Sequence, residues 1–309
     1  RKAFADLTDA EKAAVRRFVD DTAMTPQDLL APLDAASGLR VLNVLIRYYE
    51  MDETGEDAPR KLALVGARMQ LPPDAPEQPD TAPQGQPPHI GQGSTMVEVS
   101  TLYNNDKQWG GQIRVRAAYN DFLSQTAGAQ PFSELTALDA RFNIIGGKFY
   151  VRSFDIMRIT ALRLSPTGLK RDGGKAWQLY IGLDQERLAC KACAVPMFQF
   201  GVGKAAYVGP NAATYFLVYG RLSGPGADYD NVNFGVKGGL IFAPQSPVRF
   251  QLSVDARQDV FGDGKPVFDG NAEVRWRLSK QMELGGSVAV QRWRGEFDKE
   301  ARVGLSYYW

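Results

Sequence analysis

The sequence is poor in the residues that most chemistry needs. It has one histidine and two cysteines, and its 36 basic residues face 35 acidic ones, a formal charge of +1. The near-balance excludes a nucleic-acid partner, which requires a basic excess. No stretch of roughly 18 apolar residues occurs, so no membrane helix is expected. Any serine or aspartate hydrolase that works through histidine would have to use His89. That residue follows Pro87-Pro88 in a polar stretch, where a surface histidine is the simpler reading. The two cysteines leave no second pair for zinc, and no cluster of ligands has metal-binding spacing. No catalytic residue, metal or cofactor is therefore expected. Cys190 and Cys193 stand in Ala-Cys-Lys-Ala-Cys without the strand and helix of a redox motif, so a small disulfide in an oxidising compartment is expected. The chain starts at Arg1 and lacks a signal-peptide core in residues 1–20, so its targeting signal is not legible.

What is present divides into three segments. Apolar residues make up 44% and charged residues 23%, which excludes disorder of the whole chain. Residues 1–71 read as helices. Thr8 and Glu11 form a capping-box signature, and Thr25-Pro26 with Asp28 is a second helix start. Leu39, Leu42, Leu45 and Ile46 give a third apolar stripe, and Leu62, Leu64, Val65 and Met69 a fourth. Residues 72–92 carry seven prolines and read as an extended linker. The charge obeys this division: residues 1–72 hold 10 basic and 12 acidic residues, and residues 93–309 hold 26 and 20.

From residue 93 onward the period is two. There are twelve alternating runs, near 93–103, 108–119, 134–144, 148–163, 175–186, 195–207, 212–222, 229–243, 247–260, 266–278, 281–293 and 299–309. Period-two strands suit a soluble sandwich or a membrane barrel. Three features favour the barrel. The strand number is even, and each run can cross a bilayer, which takes roughly 9–11 tilted residues. The chain also ends Val303, Leu305, Tyr307, Trp309 on one face, similar to the C-terminal assembly signal of bacterial outer-membrane barrels. Aromatics near the run ends (Tyr103, Trp109, Tyr119, Phe242, Phe268, Trp293, Phe297, Tyr308) suit an interfacial girdle. The expected fold is mainly β: a twelve-stranded antiparallel transmembrane barrel over 93–309, preceded by a small helical periplasmic segment. The expected location is the outer membrane of a Gram-negative bacterium, with membrane lipid, lipopolysaccharide and the barrel-assembly machinery as partners.

An even strand number puts both barrel ends of the chain on one side. The connections 120–133, 164–174, 208–211, 244–246 and 279–280 then share that side with Trp309, and the helical segment joins it there. The polar face would line the lumen with Arg114, Arg116, Asp139, Arg141, Asp184, Lys237, Arg249, Asp255, Arg257, Glu273, Arg275, Arg277, Glu283 and Arg302. Such a mixed set favours a lumen filled by ion pairs and water over an open pore. The excess of arginine would select anions if the lumen conducts.

Several blocks resemble one family. Gly91-Gln92-Gly93-Ser94, Arg116-Ala117-Ala118-Tyr119-Asn120-Asp121-Phe122-Leu123, Gly128-Ala129-Gln130, Leu164-Ser165-Pro166 and Trp177 with Gly182-Leu183 are similar to the C-terminal region of bacterial proteins carrying an Lnb-type N-terminal periplasmic domain. Arg40-Val41-Leu42 through Tyr48-Tyr49 resembles the helical segment before that barrel. Gln92 and Asn120 stand where that pattern has histidine, so a proton-transfer role is not carried over. The resemblance implies a papain-like cysteine domain, similar to lipoprotein N-acyltransferases, upstream of this chain or associated with it. Tyr119, Asn120, Asp121, Ser165, Pro166 and Trp177 are then expected to form a rim on which the periplasmic part docks. The implied function is a membrane anchor for a periplasmic module that processes envelope lipoproteins, acyl groups or peptides. The rivals are a narrow channel for anions or lipidic solutes, and an enzyme of the outer membrane.

Overall fold

The computed structural model describes residues 2–50, 57–72, 91–106, 108–125, 132–165, 167–169, 172–185, 188, 194–209, 211–224, 232–242, 246–261 and 265–309. His89, Pro166, Cys190 and Cys193 lie outside the described residues, as do most of the proline-rich stretch and the side chain of Tyr119. The disulfide expectation therefore falls outside them too. The chain divides into two compact units: residues 1–84 with 165–173, and residues 85–164 with 174–309.

The first unit is helical: α1 (Lys2–Ala5), α2 (Asp9–Asp20), α3 (Pro26–Leu30), α4 (Ala35–Glu50) and α5 (Ala58–Met69). Both capping signatures form. Thr8 and Glu11 close a reciprocal box at the start of α2, and Thr25 and Asp28 do so at α3, where Pro26 opens the helix. Val15 and Phe18 of α2, Leu42 and Leu45 of α4 and Leu64 of α5 meet in one core. The stripe of α5 departs from the expected one: Leu64 and Ala67 are buried, while Leu62 and Met69 face outward. Arg60 ties α5 to the end of α2. It donates to Phe18 O at 2.7 Å and Asp21 O at 2.6 Å, and its guanidinium lies 4.3 Å from the Phe18 ring centre. A cation there satisfies carbonyls at the end of α2 and suits its negative pole. Leu169, from the segment 165–173, completes this core.

The second unit is a closed barrel of twelve strands: β1 (Met96–Asn104), β2 (Gln108–Asn120), β3 (Ser133–Ile145), β4 (Lys148–Arg163), β5 (Lys175–Gln185), β6 (Ala194–Gly209), β7 (Ala212–Ser223), β8 (Val232–Phe242), β9 (Val248–Asp259), β10 (Val267–Arg277), β11 (Met282–Trp293) and β12 (Glu296–Tyr308). Each pairs antiparallel with its sequence neighbours, and β1 pairs with β12 to close the ring. Met96 lies opposite Tyr308, so the chain enters and leaves the barrel at one end, its terminal end. Trp309 N donates to Thr95 O at 3.1 Å there. The connections after β2, β4, β6, β8 and β10 lie at this end and the others at the far end, as the even strand number requires.

The pleat sorts the side chains. On β12, Val303, Leu305 and Tyr307 face outward, while Arg302, Gly304 and Ser306 face the lumen. β3 and β4 interrupt the alternation. Leu138 has a positive φ of 51°, and the β4 register shifts against β5 between Asp155 and Met157. A bulge adds one residue to a strand and re-aims the side chains beyond it, so Asp155 and Arg158 share the lumen and pair at 3.0 Å. Tyr215 and Tyr219 of β7 lie over Gly239 and Gly235 of β8, where any Cβ would collide with their rings. Close packing inside a strand is the role glycine has here.

Candidate functional site

Outside and inside of the barrel are inverted relative to a soluble protein. Val303 on the outer face is 60% exposed, whereas Arg249 in the lumen is 0% exposed. Val99, Val202, Val254 and Val288 are likewise exposed on the outer face. A continuous apolar exterior around a charged interior is the arrangement of a barrel that spans an outer membrane. Aromatics sit on the outer face near both ends. Tyr103, Trp109, Phe149, Phe268 and Phe297 mark the far end, and Phe242, Trp276, Tyr307 and Trp309 the terminal end. Tyr307 and Trp309 stack with ring centres 6.0 Å apart. Two expected girdle residues are corrected: Trp293 and Tyr308 are buried, because their strand positions put them on the luminal side.

The charge network centres on Asp121, a residue expected at the rim. The first residues of the connection after β2, 121–125, fold into the barrel instead of standing on it. Asp121 is 8% exposed and accepts from three arginines. Arg275 binds both carboxylate oxygens, at 3.0 and 2.7 Å, and Arg116 and Arg114 approach at 3.1 and 3.3 Å. Arg114 also clasps Asp139, its Nε donating at 2.9 Å. Around this core Arg275 pairs with Glu273 at 2.7 Å, Arg249 pairs with Glu283, and the Tyr308 hydroxyl donates to Glu283 at 2.8 Å. Of the expected luminal residues, Arg114, Arg116, Asp139, Arg249, Glu273, Arg275, Arg277 and Glu283 thus belong to or border one network, which Arg141 meets through Asp139.

The turn that carries Asp121 is held from within. Leu123 N donates to Asp121 Oδ1 at 3.1 Å and Ser124 Oγ to the same oxygen at 2.8 Å. Gln92 and Gln125 exchange hydrogen bonds at 3.2 and 3.1 Å, and Arg277 donates to Gln125 at 2.6 Å. The next residues point the other way. Phe122 and Leu123, with Phe132, pack on Leu162, Ala176, Ala205, Ala213, Tyr215, Leu217 and Ile241 from the walls β4 to β8. One short turn therefore fills the terminal end twice over: ionically toward β2 and β10, and hydrophobically toward β4 to β8.

The other expected rim residues are not gathered around Asp121. Asn120 donates to Ser133 O at 3.1 Å across its own connection. Trp177 alternates with the luminal Ala176 and Gln178 and so takes the outer face. Ser165 bonds Asp172 and accepts from Gly168 N at 2.8 Å, closing a local turn in the helical unit.

From the middle of the barrel toward the far end the lumen opens into a polar cavity of about 240 Å³. Arg141, Asp184, Lys237, Asp255 and Arg257 of the expected set line it. So do Arg152, Arg158, Arg221 and Asp269, which alternation alone does not single out. For Arg152 and Arg158 the reason is the irregular register of β4. An advance signal for the inward turn is the set of large apolar residues Phe122, Leu123 and Phe132 in a connection otherwise of polar and small residues.

A family model for a domain of unknown function (DUF7840) matches residues 85–308. No curated protein matches the chain. Among solved structures the barrel is similar to the NanC porin, at 6% identity and a TM-score of 0.43, covering 68% of this chain and 98% of that one. It is similar to OmpT of Vibrio cholerae, at 8% identity and 0.35, covering 70% and 98%. It is also similar to the outer-membrane channel DcaP of Acinetobacter baumannii, at 9% identity and 0.36, covering 70% and 96%. Likeness at this level describes a barrel and nothing finer.

Proposed function

The chain belongs to the DUF7840 family, and from that premise we propose that it is a plugged outer-membrane anchor for a periplasmic module. The observation that carries the reading is the filled terminal end, where Asp121 binds three arginines and Phe122 and Leu123 pack on the opposite wall. A lumen closed by its own turn serves anchoring better than conduction. The segment 165–173 adds support: it leaves the barrel after β4, gives Leu169 to the helical core and returns as β5. The helical unit is read as periplasmic, with Trp309 on the same side. The resemblance to Lnb-type proteins makes the anchored activity a cysteine acyltransferase or peptidase acting on envelope lipoproteins, acyl groups or peptides. The outward Leu305, Tyr307 and Trp309 suit recognition by the assembly machinery, and the apolar belt suits membrane lipid.

Planar-bilayer recording tests the anchor. The full chain reconstituted in lipid should add no unitary current steps. Removing the plug by combining Asp121→Ala with Phe122→Ser should produce them. Clear anion-selective steps from the unmodified protein would sink the anchor reading and establish the rival channel.

A further inference from the structure

The cavity between the middle and the far end of the barrel is not used by the anchor reading. Six cationic side chains line it (Arg141, Arg152, Arg158, Arg221, Lys237 and Arg257), against three carboxylates, Asp184, Asp255 and Asp269. The carboxylates are already engaged. Asp184 pairs with Arg152 at 3.2 Å, Asp269 with Arg257 at 2.5 Å, and Asp255 accepts from the Tyr219 hydroxyl at 2.6 Å. Two cations are not so engaged. Among the described residues Lys237 makes no hydrogen bond and no ion pair within 4 Å, and Arg141 has only Asp139, at 3.8 Å from its Nε. They stand on β8 and β3, nearly opposite walls of a twelve-strand ring. A third donor is also unused: Ser153 is 5% exposed, lines the same cavity, and its Oγ has no partner. A buried polar group without a partner is rare in folded proteins and calls for an occupant. The space of about 240 Å³ holds several waters. That suits a compact anion with some of its hydration.

We propose that this cavity binds a compact oxyanion, phosphate or a small phosphate- or carboxylate-bearing solute, held between Arg141 and Lys237 with a hydrogen bond from Ser153. The chemistry is that of the donors. Lysine offers three N–H groups and arginine a planar fork, and charge-assisted hydrogen bonds to an oxyanion are the strong class. The engaged carboxylates keep the remaining arginines in place. The ligand arrives from water through the lumen.

Calorimetric titration of the full chain in detergent with inorganic phosphate tests this. Phosphate should bind the unmodified barrel, and Arg141→Gln and Lys237→Gln should each weaken it about tenfold or more. Retained heat-modifiable gel mobility shows that the variants fold. Should either variant fail to fold, the unmodified chain still decides: phosphate should raise its unfolding temperature where chloride at equal ionic strength does not. Binding of short-chain phosphatidic acid without binding of phosphate would overturn the proposal, because the source would be a lipid headgroup. Absence of phosphate binding, or binding by both variants as tight as that of the unmodified chain, would overturn it as well. Bilayer recording is untouched by either result, so anchor and anion site fail separately.

Discussion

Asp121 stands among three arginine side chains that have little access to water. Removing one partner of a buried ion pair typically costs about 3–5 kcal/mol, because the charge left behind has lost its solvent and gained nothing. Here one substitution would leave Arg116 without a carboxylate and take one of two from Arg114 and Arg275. Asp121→Ala is therefore expected to destabilise the barrel by at least that amount, read as a lower urea midpoint for loss of heat-modifiable mobility. Asp121→Asn should recover part of the loss, since the amide oxygen still accepts a hydrogen bond. Equal stability of Asp121→Ala and the unmodified chain would mean that the network is ornamental to folding. Arg114 and Arg116 are legible as luminal from alternation, because their neighbours Ile113 and Val115 are apolar. Asp121 is not, because it follows the last strand residue, where alternation stops carrying information.

Among the elements, α2 shows how a local signature becomes a pH response. Burial pushes the Glu11 carboxyl up, but it accepts from Thr8 N–H, from Arg40 and from the Thr8 hydroxyl, and these hold it at about 2. A carboxyl lower in the folded state than in the unfolded chain stabilises the fold fully above its ordinary value of 4.5. That contribution fades as pH falls from there toward 2. The helical signal at 222 nm should unfold at lower urea near pH 3 than near pH 7, and Glu11→Gln should shrink the difference. An unchanged difference in that variant would assign the response to other groups. The strands show the converse case of legibility. Most boundaries lie within a residue or two of the alternating runs, because a pleat imposes period two directly on the sequence. The irregularities at Leu138 and between Asp155 and Met157 are not legible, since a bulge leaves no compositional mark and only shifts the face. Trp293 and Tyr308 suggest girdle residues by type alone, and their strand parity overrides that.

At the scale of the whole chain, covalent continuity couples two units that are otherwise built by different rules. The chain crosses between them three times, near residues 84, 164 and 173. The middle excursion puts Leu169 into the helical core. Leu169→Ala should lower the stability of the helical transition by roughly 2–3 kcal/mol, as other truncations of core leucine do. Heat-modifiable mobility of the barrel should stay unchanged. A loss confined to the barrel would show that the segment serves the strands and not the helices.

The turn at residues 121–125 also constrains the order of assembly. It sits inside a ring whose last seam, β1 against β12, joins residues about two hundred positions apart. Such distant pairing is slow to form, whereas a turn bonded to itself forms early. Two of its ligands, Arg114 and Arg116, lie just before it, while Arg275 arrives on a late strand. The turn is therefore in place, with part of its charge neutralised, before the wall closes around it. In kinetic language the plug is captured by the closing sheet and does not have to enter a finished one, so a ring closed without it would have to reopen its seam to be repaired.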